Sequence, residues 1–388
     1  MVRKTWTLTD IDQDVYVKQI ALGPENVGGT AAGYSVVKRR LRGGLRRGVD
    51  VVEVGNGKFR FVVIPTRGMG LWKAYLGDVQ LGWKSPVKGP VHPGFVRLWE
   101  PSGLGWLDGF DELLVRCGLE SNGAPEFHDN GSIRWPLHGK IANIPAHKVE
   151  VAIDGDSGEI TVAGVVDEAR LFGNKLRMRS AISTAVGRPG LTVTDTITNI
   201  SAEPSELELL YHINFGVPLL GRGAKVVLPV AKAAPRDETA AADVPTWDTY
   251  GPECAGAPEA VFFCELCGDA EGRTQALLRN AGGTQGVSLK FSKQQLPYFT
   301  LWKNRQAAAD GYVTGLEPGI NFPNRKSFEK RKGRVTVLGP GESRTFAVTL
   351  EVHADAAAVT AAEQAVAKLQ AGVKPQVRRA PDPEWSMG

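Results

Sequence analysis

Short runs in which apolar and polar residues alternate recur along most of the chain, separated by turn-forming residues. Val49-Asp-Val-Val-Glu-Val54 and Phe59-Arg-Phe-Val-Val-Ile64 flank Gly55-Asn-Gly57, a hairpin signature. Val149–Ile153 and Glu159–Ala163 flank Asp154-Gly-Asp-Ser-Gly158 in the same way, and Leu176–Ile182, Leu191–Ile200 and Glu206–Ile213 continue the series. Further strands are expected at Gln275–Leu278, Val287–Phe291, Tyr298–Trp302, Arg334–Leu338 and Ser343–His353. Strands at this spacing predict an all-β protein, a large antiparallel sandwich. One long helix is expected, Ala354–Leu369, alanine-rich and followed by Gly372 and Pro375. No shift in composition marks a boundary. Residues 1–373 therefore read as one domain, and 374–388, with several prolines and charges, as an extended or loosely packed tail.

Composition narrows the function classes. The 388 residues are 42% hydrophobic, enough for a large core, and Gly 46 and Pro 24 suit many strands and turns. A net charge of +4 from 46 basic and 42 acidic residues gives no case for nucleic acid or an anionic membrane. No run approaches the roughly 20 apolar residues that span a bilayer. The N-terminal text turns acidic too early for a signal peptide, so a cytoplasmic protein is expected. Cys117, Cys254, Cys264 and Cys267 are too few and too clustered for a disulfide scaffold. Cys264-Glu-Leu-Cys267 lies in strand-like text, which favours free packed thiols over a metal or redox site.

Polar residues stand out inside three apolar segments: Trp135-Pro-Leu-His138-Gly-Lys-Ile-Ala-Asn-Ile-Pro145, Leu207-Glu-Leu-Leu-Tyr-His212-Ile-Asn214-Phe-Gly216 and Tyr312-Val-Thr-Gly-Leu-Glu317-Pro-Gly-Ile-Asn-Phe-Pro323. Strand alternation puts Tyr211, Ile213 and Phe215 on one face and Leu210, His212 and Asn214 on the other. Buried, such a histidine and asparagine need partners, which a ligand can supply. Taken alone, each histidine fits a satisfied structural role better than a catalytic one, and Glu317 fits a solvated strand end as well as a general base. Arg116 interrupts a fourth apolar run, Glu112–Glu120. It would bind substrate or pair with Glu112 or Glu120.

These residues sit in text that resembles an aldose 1-epimerase-like branch of the galactose mutarotase superfamily. The matching motifs are Pro65-Thr-Arg-Gly-Met-Gly70, Leu81-Gly-Trp-Lys-Ser-Pro86, Arg116-Cys-Gly-Leu119, Leu137-His-Gly-Lys-Ile-Ala-Asn-Ile-Pro145, Tyr211-His-Ile-Asn-Phe-Gly216 and Gly315-Leu-Glu-Pro-Gly-Ile-Asn-Phe-Pro323, in order over roughly residues 5 to 355. The resemblance implies a β-supersandwich of two large antiparallel sheets. It also implies an isomerase that interconverts sugar anomers, with Glu317 as base, His212 as acid and His138 beside the ring oxygen. Arg116, Asn214 and Arg67 would contact substrate, and Trp83 or Trp302 would stack on the sugar, although core packing suits either tryptophan better. No cofactor is implied, and the expected partner is a small-molecule sugar, with a homodimer left open.

The chain departs from the family in two places. The mutarotases use a further aspartate between the second histidine and the glutamate, and Asp248 is the candidate, with Asp237 the other, neither in a matching motif. Lys140 follows His138-Gly139, and the loop from Asn122 to Arg134 is long, which suggests a different substrate. Two other classes stay open: a non-catalytic sugar-binding protein, and a lyase or hydrolase acting on an oxidised sugar. The latter would use a metal held by Glu126, His128, Asp129 and His138.

Overall fold

The computed structural model describes residues 2–387, and it is a sandwich of two large, mainly antiparallel sheets. The first is ten-stranded. Its centre is a meander, Lys148–Asp154, Glu159–Ala169, Lys175–Ala185 and Gly190–Asn199, closed on one side by Ser343–His353 and on the other by Arg3–Asp10. Alternation is strict here. Every second residue of Lys148–Asp154 and of Lys175–Ala185 is buried, because one face meets the core and the other meets water.

The second sheet is fourteen-stranded and runs through Ala260–Leu266, Tyr298–Asn304, Val313–Gly319, Ser205–Phe215 and Leu114–Leu119, in that spatial order, to Asp50–Gly55 and Phe59–Ile64 beyond. Its central strands are buried on both faces. All positions of Leu114–Leu119 and Val313–Gly319 are buried. One face forms the main core against the other sheet, where Tyr211, Ile213, Leu301 and Leu316 meet Val151, Val162, Ile182 and Val348. The opposite face is covered by excursions of the chain carrying Trp83, Trp106 and Phe110, which pack on Leu210 and Val313. Double burial explains the near-continuous apolar text around His212 and Glu317.

The predicted Asn-Gly hairpin forms, with Val52 opposite Val63. Asn56 does more than turn the chain. Its Oδ1 accepts from Phe59 N at 2.7 Å, while its Nδ2 donates to Thr184 Oγ1 at 2.8 Å in the other sheet. The helix spans Ala356–Gln370, capped by Asp355, whose side chain accepts from Ala358 N at 2.8 Å. It buries Val359, Ala362 and Val366 against the Arg273–Arg279 strand. No helix among the described residues is long and apolar enough to cross a membrane. The expected strand at Arg334 begins only at Thr336, because the Arg334 backbone is used in closing the Lys326–Arg331 helix, its N–H donating to Glu329 O at 2.9 Å. The tail is extended but not loose: Gln376–Val377 pairs with Val230–Pro235, Asp382 binds Lys232, and Trp385 packs on Phe322 with ring centroids 5.2 Å apart.

Candidate functional site

On its covered face the fourteen-stranded sheet encloses a cavity of about 260 Å³. The Ser205–Phe215 strand contributes His212, and its neighbour Val313–Gly319 contributes Glu317. Tyr298–Asn304 adds Thr300 and Trp302, with Thr300 directly opposite Glu317 in the ladder. His138, Trp106, Phe110, Leu104 and Leu107 arrive from the covering loops, and Arg236 and Glu259 close the far wall.

His138 reaches the cavity through an unusual backbone. It has φ +56°, and Gly139 after it has φ +71°, so consecutive residues are left-handed. The turn is held because His138 N donates to Gly123 O at 2.9 Å and Gly118 N donates to His138 O at 3.1 Å. His138 Nδ1 donates to Asn122 O at 2.8 Å, which leaves Nε2 as the free ring nitrogen. Burial pushes this imidazole down to about 4.

His212 is 4% exposed, and its Nδ1 donates to Asn214 Oδ1 at 2.6 Å. Its Nε2 therefore faces Glu317, with Oε1 3.2 Å away. The approach is close, yet Oε1 makes no hydrogen bond of acceptable geometry. Burial, with the nearby His138 adding to it, holds the His212 imidazole well below its ordinary range. Burial also lifts the Glu317 carboxyl well above the carboxylate range, Glu259 adding to the rise and Arg236 opposing it. Each group resists the charge it would carry if separated from the other.

Two further buried polar atoms in the cavity wall lack partners, Trp106 Nε1 and Thr300 Oγ1. Convergence of three such atoms on one small cavity marks a place where a ligand supplies the missing bonds. The rings of His212 and Trp302 stand edge to face at 5.3 Å, and Trp302 Nε1 donates to Glu259 Oε2 at 2.7 Å. Arg236 is engaged twice, by Asp237 and by Glu259, both at 2.8 Å. A larger groove, about 810 Å³, lies between the C-terminal helix and the ten-stranded sheet, but its buried Gln275 and Thr274 are paired to Ala362 O and Cys267 O.

His138, His212, Glu317 and Trp302 thus meet in one cavity, and six other candidate residues do not belong to it. Arg116 is locked in the core, bidentate to Asp195 at 2.5 and 2.9 Å and bound to Ser180 Oγ at 2.8 Å and Met69 O at 2.8 Å. Its partner is neither Glu112 nor Glu120, and no donor is left for substrate. Asn214 spends Oδ1 on His212 and Nδ2 on Glu112 O at 3.0 Å, so it orients the histidine instead of touching ligand. Trp83 is a core residue that donates to Glu112 O and packs on Phe110. Arg67 is buried against Glu112 and Asn143. Asp248 pairs with Lys225 at 3.2 Å, and Asp237 caps a short helix through Ala240 N; neither lines the cavity.

Glu259, which falls between His212 and Glu317 in chain order, is the further carboxylate that lines the cavity. It stands just ahead of the Ala260–Leu266 strand in Ala257-Pro-Glu-Ala260, text that gives no sign of a site. Trp106, Thr300 and Arg236 were equally unmarked. Of the alternative metal set, His128 and Asp129 are exposed, and Glu126 accepts from Ser327 N at 3.0 Å. No group of three or more His, Cys, Asp or Glu poised to hold a metal occurs among the described residues. The four cysteines are free.

Comparison with known proteins follows the same line. A family model described as a domain of unknown function (DUF4432) matches residues 46–352. No curated protein matches the chain. The crystal structure of a "putative aldose 1-epimerase" from Klebsiella pneumoniae superposes with a TM-score of 0.94 at 34% identity, covering 98% of this chain and 99% of that one. A galactose mutarotase-like protein from Clostridium acetobutylicum shares the fold at a TM-score of 0.54 and 18% identity, over 79% of this chain and 96% of its own. A galactose 1-epimerase from Lactobacillus acidophilus does so at 0.53 and 13%, over 82% and 98%.

Proposed function

The chain belongs to the DUF4432 family, an aldose 1-epimerase-like branch of the galactose mutarotase superfamily, and we propose that it is an aldose 1-epimerase interconverting the anomers of a small sugar. One observation carries this reading: two buried proton-transfer groups, His212 Nε2 and Glu317 Oε1, stand 3.2 Å apart in a cavity with unpaired polar atoms around them.

Mutarotation takes a proton from the anomeric hydroxyl and gives one to the ring oxygen, so it needs a base and an acid beside neighbouring substrate oxygens. Glu317 and His212 meet that need when they share one proton. Without a sugar beside them, burial disfavours charge on either. The polar oxygens of a bound sugar replace the lost solvation and admit the carboxylate–imidazolium form. Glu317 then takes the O1 proton as His212 protonates the ring oxygen. The C1–O5 bond breaks, C1 becomes an aldehyde and turns about C1–C2, and reversal of both transfers closes the ring on the other face. His138, with Nε2 bare, hydrogen-bonds the oxygen or hydroxyl beside His212. Trp302 offers an aromatic face to the sugar ring, and Trp106 Nε1 and Thr300 Oγ1 bind hydroxyls.

The size of the cavity, about 260 Å³, supports a single sugar ring. The engagement of Arg236 by Asp237 and Glu259 supports a neutral sugar over a phosphorylated or oxidised one, since an anionic substituent would meet no unpaired guanidinium there. The test is anomer exchange measured by saturation-transfer NMR over a panel of aldoses. Acceleration for at least one sugar, lost in His212→Asn and Glu317→Gln, is expected. Binding without exchange across the panel would make the protein a sugar binder and refute the proposal.

A further inference from the structure

Behind the cavity lies a second buried carboxylate with no part in the proton transfers. Glu208 is on the His212 strand, two pleats earlier on the same face, and is fully buried. Its Oε2 accepts from Asn122 N and its Oε1 from Asn321 Nδ2, both at 3.0 Å. The two asparagines also bond each other, Asn122 Nδ2 to Asn321 Oδ1 at 2.8 Å and Asn321 Nδ2 to Asn122 Oδ1 at 3.1 Å. Both asparagines are fully buried.

Each arm of this network ends at the cavity. Asn122 O is the acceptor that fixes His138 Nδ1. Asn321 follows Glu317 by four residues, two past the end of the same strand. Ala124 N donates to Pro323 O at 3.3 Å, and both residues line the cavity. A Cβ on Gly123 would overlap the Asn324 carbonyl, so the two loops are pressed together there.

We propose that Glu208 is a positioning residue: its carboxylate ties the His138 loop and the loop after Glu317 to the His212 strand and so sets the His138 ring. The proposal rests on the epimerase reading for its effect on rate, but its effect on His138 is independent of that reading. Both oxygens of Glu208 accept N–H donors, which the two ends of a glutamine amide cannot both do, and burial lifts this carboxyl to about 8 against the opposing pull of Lys326 and the Asn122 N–H. In Glu208→Gln the new amide must face Asn122 N–H or Asn321 Nδ2 donor to donor, while side-chain volume is conserved. The sugar-facing groups Glu259, Arg236, Thr300 and Trp302 make no contact with Glu208, so KM is expected to hold while kcat falls.

The experiment compares wild type, Glu208→Gln and Asn321→Ser by ¹⁵N-histidine NMR and by anomer exchange, with a thermal melt to establish folding. In wild type His138 shows a protonated Nδ1 and a bare Nε2. Glu208→Gln is expected to shift these resonances toward a mixture of tautomers and to lower kcat about 10- to 100-fold with KM little changed. Asn321→Ser keeps Glu208 and its bond to Asn122, and serves if Glu208→Gln does not fold; it should move the same resonances less. A folded Glu208→Gln with wild-type His138 resonances and wild-type kcat overturns the inference. So does Asn321→Ser without effect where Glu208→Gln cannot fold. Wild-type protein that exchanges no sugar refutes the epimerase reading and leaves the His138 resonances as the test of Glu208.

Discussion

Gly315→Ala is the substitution that most sharply separates fold from chemistry. Gly315 lies on the Glu317 strand, two residues before the carboxylate and on the same face. A Cβ there would stand 3.1 Å from both Glu317 Cδ and His212 Cε1 and would overlap Glu317 Oε1. Its φ is not left-handed, so alanine is not strained by the backbone itself. Something must yield, and the least costly movement is the end of the Glu317 side chain, which has an open cavity beside it. Relief of the overlap takes a shift of about 1 Å. A misplacement of that size in a reacting group costs about 100-fold in rate, or about 2.7 kcal/mol of transition-state stabilisation. The fold should lose at most the ~1–3 kcal/mol of an overpacked core. The assay is anomer exchange at saturating sugar beside urea unfolding. A Gly315→Ala protein that exchanges anomers at the wild-type rate would mean that the Glu317–His212 spacing does not govern the reaction.

Acid stability should report on His138. Its folded value of about 4 lies below the 6.5 of a free imidazole, so the unfolded chain binds the extra proton between those pH values. The stability tied to the neutral ring is complete above pH 6.5 and is lost as pH falls toward 4, by about 3 kcal/mol. His138→Asn, which tolerates the left-handed backbone, should show a smaller loss over that window in urea unfolding followed by circular dichroism; an equal loss would assign the titration elsewhere. Arg116→Lys should lower unfolding free energy by about 3 kcal/mol, because a lysine cannot satisfy the bidentate Asp195, while KM for the sugar stays unchanged. A raised KM with intact stability would return Arg116 to the substrate site.

The strands were legible because alternation and turn chemistry are local. Asn56 between glycines predicts its hairpin without knowledge of the rest of the chain, though not that its amide would reach Thr184 in the other sheet. Polar residues inside apolar text were a sound signal of a different kind: they mark a need for partners without saying where those partners lie. For His212 it is met on one side by Asn214, and for Glu317 Oε1 it is left open in the cavity. For Arg116 it is met by Asp195, distant in sequence but buried across the sandwich, and the local text is alike in the two cases. Asn214 shares a face with His212, as alternation predicts, yet it is consumed by that histidine and by a backbone carbonyl. Glu259, Arg236 and Thr300 escaped because each looks ordinary in its own segment, and only the stacking of four strands brings them to one wall. Asp248 occupies a suitable place in chain order, but order alone does not carry a side chain into a cavity.

The central claim is that the buried Glu317–His212 pair transfers protons to and from a sugar. It is tested most directly by saturation-transfer NMR between the anomers of each aldose in a panel, with wild type, Glu317→Gln and His212→Asn side by side. Faster exchange of at least one neutral aldose by wild type, falling about 100- to 10,000-fold in each variant while the protein stays folded, is the predicted result. Exchange that persists undiminished in both folded variants would contradict it.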